Sequence, residues 1–316
     1  MAGGVLDPAT KVATIQDRNL TLEVQINRTT AVSVAYVGNH AQHIAGSRQL
    51  NPAVYGPGAT SANVQTRRIY QGLGSMEVAT SYEYADYNGL QLNVTRRVSS
   101  GLHVLTNLTY GKIIDNTSSA TEGNVGPPNP FNLNSSRGPA DYDVKLRYNL
   151  SAVYDLPKVP VNHYAGALVN GWQLNTILSA ATGTPITVVS GTDRSLSGVG
   201  NDYSDLIGSP ARLAGANRLT QYFNTAAFQQ AAIGTFGNSS RGILRGPGTV
   251  GLDVSGFKVI PVTERVKLQF RTEAFNVINR ANFANPGSSV AATASFGRIT
   301  SSSAPRVIQF ALRATF

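Results

Sequence analysis

The sequence predicts an all-β protein, an antiparallel transmembrane β-barrel segment of about nine or ten strands with long extracellular loops. Two observations carry this prediction. Apolar and polar residues alternate with a period of two in many separate stretches, which is the pattern of strands whose faces meet different surroundings. Short and long connections also alternate strictly between these stretches, as the periplasmic turns and extracellular loops of a membrane barrel do.

The last stretch, residues 306–316 (RVIQFALRATF), shows the alternation most clearly. It ends on an aromatic ring, whereas the tail of a soluble domain is normally polar and frayed. A strand of about ten residues that is apolar on one side is the unit of a transmembrane barrel. Its apolar face consists of Ile308, Phe310, Leu312, Ala314 and Phe316.

The same pattern recurs along the chain, and the connections between strands fall into two groups. Short turns are predicted near residues 28, 100, 156 and 261. Long loops are predicted at 38–74, 114–140, 191–248 and 276–304, where Gly, Pro, Ser and Asn are frequent. The strand at 76–84 is expected to extend beyond the membrane. In order, the predicted strands are 19–27, 32–36, 76–84, 90–94, 102–110, 142–154, 172–178, 250–254, 266–274 and 306–316.

The predicted apolar faces have the composition that lipid requires. The strands at 142–154, 266–274 and 308–316 carry no Lys, Asp or Glu on that face. A charge there would cost about 2–4 kcal/mol at the bilayer midplane. Aromatic residues fall near strand ends, as a girdle at the membrane interface would, although the rim of a soluble sandwich core is an open alternative. They are Tyr36, Tyr110, Tyr142, Tyr154, Trp172 and Phe316.

Composition excludes several other classes. The mean hydropathy of −0.10 is typical of a barrel with a polar interior, and no uninterrupted apolar window is long enough for a transmembrane helix. The 316 residues include no cysteine, which removes disulfides and thiolate metal sites. The net charge is +9, but Lys and Arg are spread through strands and loops rather than clustered with aromatics, so no nucleic-acid partner is predicted.

Strand parity predicts that the chain is the C-terminal part of a larger barrel. If Phe316 lies on the periplasmic side, every short turn is periplasmic, every long loop is external and the first strand runs inward from outside. Bacterial barrels begin from the periplasm, so further strands are expected before it. No secretory signal is visible in the first residues (MAGGVLDPATKV). We therefore expect an irregular segment at 1–18 and a C-terminal barrel portion at 19–316.

Five collinear stretches together resemble Oar-like TonB-dependent receptors. The resemblance covers most of the chain from about residue 19 onward. The stretches are YNGLQLNVTRRVSSGLHVLTNLTYGKIID (87–115), NPFNLNSSRGPADYDVKLRYNLSAVYDLP (129–157), GWQLNTILSAATGTPITV (171–188), RGILRGPGTVGLDVSGFKVIPVTERVKLQFRTEAFNVINRANFANP (241–286) and FGRITSSSAPRVIQFALRATF (296–316).

The resemblance implies a plugged barrel of roughly 22 strands that moves a solute across the outer membrane with energy from the TonB complex. The family's N-terminal signal, carboxypeptidase-regulatory-like domain, TonB box, plug and first barrel half do not match any stretch of this sequence, so TonB would act through the missing N-terminal part. The resemblance also implies a terminal β-signal at Phe310, Leu312 and Phe316, which the barrel-assembly machinery reads by strand pairing.

Catalytic, cofactor and metal motifs are not found in a suitable context. His40 and His43 are separated by two residues on a predicted loop without an acidic cluster, so no metal site is predicted there. Asn201, Asp202, Ser204 and Asp205 lack the spacing and closing Glu of a calcium loop.

Two sets of charged residues are placed on the inner face by the alternation. Asp141 and Asp143 stand beside Lys145 and Arg147, where a charge ladder explains them better than acid–base catalysis. The second set lies on strands separated by one loop. One hypothesis is a positive inner wall that favours anionic solutes or a plug's acidic face, and general solvation of the lumen by charged side chains is the alternative that stays open. These candidate lumen charges are Arg265, Lys267, Arg271 and Arg313.

The leading interpretation is an outer-membrane transporter segment of a Gram-negative-type bacterium, in contact with outer-membrane lipid and an unknown solute. An outer-membrane adhesin or structural barrel that binds partners through its long loops is the alternative. A secreted β-sandwich binding module is a third possibility. No enzymatic activity is predicted, since no arrangement of catalytic residues is found.

Overall fold

The computed structural model describes residues 3–98, 101–118, 127–263 and 265–316. Eleven strands form one main sheet, and nine long strands follow one another through it as an antiparallel meander. The number of strands and their antiparallel order confirm the predicted fold class. The nine strands are β1 (Thr14–Asn27), β2 (Thr30–Gln49), β3 (Met76–Val98), β4 (Leu102–Asp115), β5 (Leu146–Asp155), β6 (Trp172–Ala181), β7 (Thr249–Pro261), β8 (Lys267–Phe275) and β9 (Val307–Thr315).

Shorter elements complete the described fold. Gly3–Leu6 pairs in parallel with the start of β3, so the first residues are not wholly irregular. Gly138–Pro139 pairs with the end of β4. Pro185–Ile186 pairs with Leu244–Arg245, and Asp205–Leu206 pairs with Phe228–Gln229. One α-helix, α1 (His163–Val169), and the 3-10 turns Gln65–Arg67, Leu133–Ser136 and Thr225–Ala227 are also present. Among these described helices, none is long and apolar enough to cross a bilayer.

The prediction of a loop at 38–74 was wrong for its first part. β2 continues to Gln49 because β3 begins at Met76 and supplies backbone partners beyond the apolar region. The pairing is irregular between Ala41 and Gly46, where His43 has a φ of 57°. Irregular pairing of this kind changes which residues share a face. The sequence in this part therefore does not show the period of two that indicates a strand.

Two further expectations need correction. The strand predicted at 142–154 begins only at Leu146, so Asp141 and Asp143 precede it and do not form a ladder on a strand face. The connection expected as a brief turn near 156 spans residues 156–171 and contains α1. Asp143 forms an ion pair with Arg245 just before β5 begins. In the longer connection, hydrogen bonds join Val159 to Asn170 around α1.

Register arranges the apolar side chains in rows across one face of the sheet, which we call the apolar face. One row crosses seven adjacent strands and contains mostly aliphatic and aromatic side chains. Charged residues on this face include Arg96 and Lys258, both close to the end with the short turns. The row consists of Leu22, Val34, Leu92, Leu108, Tyr148, Ala180 and Val250.

The apolar band drifts along the strands from one side of the sheet to the other. It runs from Leu102 to Tyr110 on β4 and from Ile308 to Phe316 on β9. When the pairings are followed from β9 back to β4, Ile308 lies level with Val104. The corresponding end of the apolar band on β4 is Tyr110, six residues further along that strand. At about 3.3 Å per residue and about 4.8 Å per strand, this drift over five pairings corresponds to a strand tilt of about 40°. Strands of membrane barrels tilt by about 35–45°.

Candidate functional site: the polar face and its loop cover

The opposite side of the sheet, which we call the polar face, carries hydrogen-bonding side chains in rows. Asn93, Asn107 and Asn149 lie opposite one another on β3, β4 and β5. Ser33 and Ser179 extend the row to β2 and β6. Asparagine and serine offer donors and acceptors without net charge, so this face suits contact with water or a polar solute.

The structure brings three of the four predicted lumen charges together. Lys267 and Arg271 lie on the polar face of β8, and Arg313 lies on the same face of β9, opposite Gln269. They occupy the end of the sheet that carries the short turns. Arg265 precedes β8 and lies in the turn. Their proposed action on anions stays a prediction.

Neighbours reduce the positive potential around Arg271. Its guanidinium lies 4.6 Å from the ring centroid of Phe257, in a cation–π contact. A carboxylate oxygen of Glu273 is 3.9 Å away. Glu273 also accepts a hydrogen bond from Gln309 at 2.5 Å. Lys267 and Arg313 therefore contribute more of the free positive charge than Arg271 does.

The predicted terminal signal residues all project from the apolar face of β9. Phe310 stacks on Phe270 with ring centroids 6.2 Å apart, and Leu312 lies opposite Phe270 in the register. Phe316 is 93% exposed. β9 has one strand partner among the described residues, so its other edge offers free backbone groups to a further strand. Recognition of these residues by an assembly factor stays a prediction.

A compact layer, which we call the loop cover, is formed by segments 182–248 and 276–306. Its buried cluster contains Val188, Phe223, Ala227 and Phe228. Phe223 meets Phe228 and Phe296 edge to face, with centroid distances of 5.6 and 5.3 Å. The two segments therefore share one hydrophobic core, although each alone has the composition of an irregular loop.

Two arginines hold the loop cover against the sheet through ion pairs with buried aspartates. Arg241 pairs with Asp115, which lies at the end of β4 on the polar face. Arg245 pairs with Asp143, just before β5. Both aspartates are 1% exposed. The contacts place this part of the loop cover on the polar-face side, at the end opposite the short turns.

Additional hydrogen bonds satisfy most of the groups that these pairs bury, although the buried Arg241 Nε has no hydrogen-bond partner among the described residues. Arg241 donates to the Ser136 carbonyl at 2.9 Å, and Arg245 donates to the Gly183 carbonyl at 3.1 Å. The second oxygen of Asp143 accepts from the Ile113 amide at 2.8 Å. Such networks make ion pairs costly to break, because a lone partner would stay buried and charged.

Glu83 is a further buried carboxyl on this face. It is on the part of β3 beyond the apolar band, seven residues before Leu90, and it lies over Gly46, where any side chain would collide with it. Burial first, and then the Asp115 carboxylate, raises the pKa of Glu83 to about 7, while a hydrogen bond with Thr117 acts in the opposite direction. Glu83 therefore titrates near neutral pH.

We expect Glu83→Gln to remove a pH dependence of stability. Because the folded-state pKa is raised from 4.5 to about 7, the stabilising contribution of the bound proton is complete below the lower value and is lost as pH rises to the upper one. Thermal unfolding of the natural protein should shift downwards from about pH 5 to about pH 8, and the variant should shift less. Glu23→Gln, on the exposed strand β1, is the control. Equal slopes for all three proteins would contradict the assignment.

The residues weighed as ion ligands have structural partners instead. His40 pairs with Asp86 at 2.5 Å. Asp202 accepts from the Ser195 amide at 2.6 Å, and Asp205 accepts from the Asn238 amide at 3.1 Å. Across the described ranges, no group of three or more His, Asp or Glu side chains is arranged to hold a metal ion.

One protein family matches nearly all of the chain. The model of the outer membrane beta barrel domain family matches residues 2–309. The chain belongs to this outer-membrane β-barrel family. The apolar face is accordingly the lipid-facing side, and the outer membrane is the location of the protein. No curated protein sequence matches the chain.

Solved outer-membrane structures are similar to the chain at low sequence identity. The outer membrane transporter YddB of Escherichia coli matches with a TM-score of 0.51 and 9% identity, over 99% of this chain and 34% of that one. The ferripyoverdine receptor of Pseudomonas aeruginosa matches with a TM-score of 0.49 and 10% identity, over 96% and 27%. The FrpB iron transporter of Neisseria meningitidis matches with 0.48 and 11%, over 99% and 33%. The chain thus spans about a third of these structures or less.

Proposed function

We propose that this chain is the C-terminal barrel portion of an Oar-like TonB-dependent receptor that moves a solute across the outer membrane. The carrying observation is the polar face with its loop cover fastened over the outer end by Arg241 and Arg245. A wet inner wall with an ordered cover is what a gated solute path requires. The stretches that resemble the receptor family and the transporter fold of YddB support this proposal.

The rest of the proposed transporter would complete the barrel. β1 and β9 each have one neighbour in the long meander, so both edges can accept further strands. We assign 19–316 to the barrel, extended at its start by the residues of β1 from Thr14, and the residues before Thr14 to the segment leading into it. A plug and the TonB complex would act through the missing N-terminal part, and the assembly machinery would pair with β9 near Phe310, Leu312 and Phe316.

The transport proposal is tested with the full-length parent protein in its own cells. Strains lacking the receptor or TonB are grown beside the parent strain, and the solutes remaining in the medium are profiled. We expect at least one solute to stay in the medium of both deletion strains. If the media are identical but the receptor deletion abolishes attachment to a surface or partner cell, the adhesin alternative is correct.

One observation favours that alternative. The loop between β2 and β3 carries apolar side chains that are about half exposed, on the side of the sheet where the long loops lie. Exposed apolar groups of this kind can bind a partner surface. They are Val54, Tyr55, Ile69, Tyr70 and Leu73.

The predicted positive wall has its own test. We expect replacement of Lys267, Arg271 and Arg313 by Gln in the full-length protein to reduce the preference of the pore for anions, because the charges share one face near the inner end. Arg265→Gln, in the turn, should have a smaller effect. Reversal potentials in planar bilayers under a salt gradient measure the preference. An unchanged potential in the triple variant would remove this role.

A further inference from the structure

The connection between β5 and β6, residues 156–171, differs from its neighbours at the same end of the sheet. β1 and β2 are joined through residues 28–29, and β7 and β8 through 262–266. The longer connection instead contains α1. Its sequence, LPKVPVNHYAGALVNG, has one lysine and no acidic residue.

Hydrogen bonds hold this connection in a defined shape. The Asn170 side chain accepts from the Val159 amide at 2.7 Å and donates to the Val159 carbonyl at 3.1 Å, which ties the two ends together. Asn162 caps α1 by accepting from the Ala165 amide at 2.9 Å. The segment is therefore ordered before it meets any partner.

Contacts from β6 and β7 place the connection on the lipid-facing side. Lys258 shares a row of the apolar face with Trp172 and Phe270. Its ammonium donates to the Asn170 carbonyl, and the side chain is 4% exposed and lies 5.5 Å from the Trp172 ring centroid. The Trp172 indole donates to the Leu168 carbonyl at 2.9 Å. The C-terminal end of α1 is thus held beside an aromatic residue at the edge of the apolar band.

Apolar side chains of the connection are exposed at this edge. Leu168 is 72% exposed, and Val159, Val161 and Val169 are about half exposed. They continue the apolar face past Trp172, and Lys158 is exposed next to them. Apolar side chains with a neighbouring lysine are the composition of segments that lie in the boundary between lipid headgroups and acyl chains.

We propose that residues 156–171 form an interfacial membrane anchor. Leu168, Val169, Val159 and Val161 enter the headgroup–acyl boundary of the periplasmic leaflet, and the Lys158 ammonium meets phospholipid phosphates. Lys258 and Trp172 act as positioning residues that hold the anchor against the outer wall of the barrel. This role depends on the outer-membrane location and is independent of any transported solute.

These 316 residues contain no cysteine, so a single introduced cysteine can carry a label once any cysteine elsewhere in the full-length protein is replaced by serine. The full-length protein with Leu168→Cys is labelled with the fluorophore NBD and reconstituted in vesicles of phosphatidylethanolamine and phosphatidylglycerol. Arg28→Cys, at the exposed turn between β1 and β2, is the matched control. Lipids that carry a nitroxide near the headgroup should quench the label at 168 at least about twofold more than the label at 28. Equal quenching at both sites would overturn the proposal.

A second measurement identifies other occupants. Iodide in the aqueous phase should quench the label at 28 more strongly than the label at 168 in vesicles that contain only the purified protein. If the label at 168 is open to iodide until a periplasmic extract is added, a protein rather than lipid covers this surface, and the proposal is wrong. In the Lys258→Met variant, the difference in lipid quenching between the labels at 168 and 28 should become smaller, because the anchor loses its hydrogen bond to β7.

Discussion

Arg241→Ala is expected to lower the free energy of unfolding of the loop cover by about 3–5 kcal/mol, since it leaves the Asp115 carboxylate buried and without its charge partner. Arg241 also donates to the Ser136 carbonyl, so its loss removes a second attachment of the cover. The effect is measured as the urea concentration at which proteases first cleave residues 182–248 of the full-length protein in detergent. Cleavage should begin at a much lower urea concentration in the variant.

Two controls separate the ion pair from a general effect of losing an arginine. Arg212→Ala changes an exposed arginine of the same segment. It should leave the urea concentration of first cleavage nearly unchanged, which corresponds to a change in the free energy of unfolding below about 0.5 kcal/mol. Combining Arg241→Ala with Asp115→Ala should cost less than the sum of the two single changes, because the pair is removed together. Strict additivity would show that the two side chains do not stabilise each other.

Leu150→Lys should destabilise the folded protein in a bilayer by about 2–4 kcal/mol, because it places an ammonium near the middle of the lipid-facing band. Leu150 lies opposite Thr106 and Leu178 on the apolar face, between Leu146 and Tyr154 on β5. Equilibrium unfolding by urea of the full-length protein in lipid vesicles measures the change.

The adjacent residue provides the matched control. Asn149→Lys adds the same charge one position away, on the polar face opposite Asn107. Water on that side can solvate the ammonium, so we expect a loss below about 1 kcal/mol. Similar losses for the two variants, or a greater loss at Asn149, would mean that the assignment of the two faces is reversed or that the sheet does not span a bilayer.

The alternation of apolar and polar residues was sufficient to predict most of the long strands, although not all of their bounds. Residues 306–316 and 102–110 follow the alternation, apart from Val307 and Ala311 in the first stretch and Leu105 and Thr106 in the second, and both stretches form strands. The period of two is a local property of extended backbone, so it can be read without knowing any partner strand. The alternation failed where pairing is irregular, as in β2 beyond Ala41.

Residues of the loop cover could not be assigned in the same way. The stretch RGILRGPG contains Arg241 and Arg245 four residues apart, flanked by glycines, and this spacing was the available signal for paired attachment points. Nothing in the sequence connected it to Asp115 or Asp143. The predicted charge ladder at Asp141 and Asp143 was wrong for this reason: Asp143 binds an arginine of the loop cover instead.

The sequence by itself determined which side chains face lipid and which face the interior, because neighbouring residues of a strand necessarily point to opposite sides. The tertiary structure alone decided which buried charges meet. Asp115 and Asp143 find their arginines 126 and 102 residues away along the chain. It also placed Lys258 beside the Trp172 ring, where its ammonium donates to the Asn170 carbonyl and holds the connection 156–171 against the outer wall. Such pairings depend on how distant segments are brought together, and no local period encodes that.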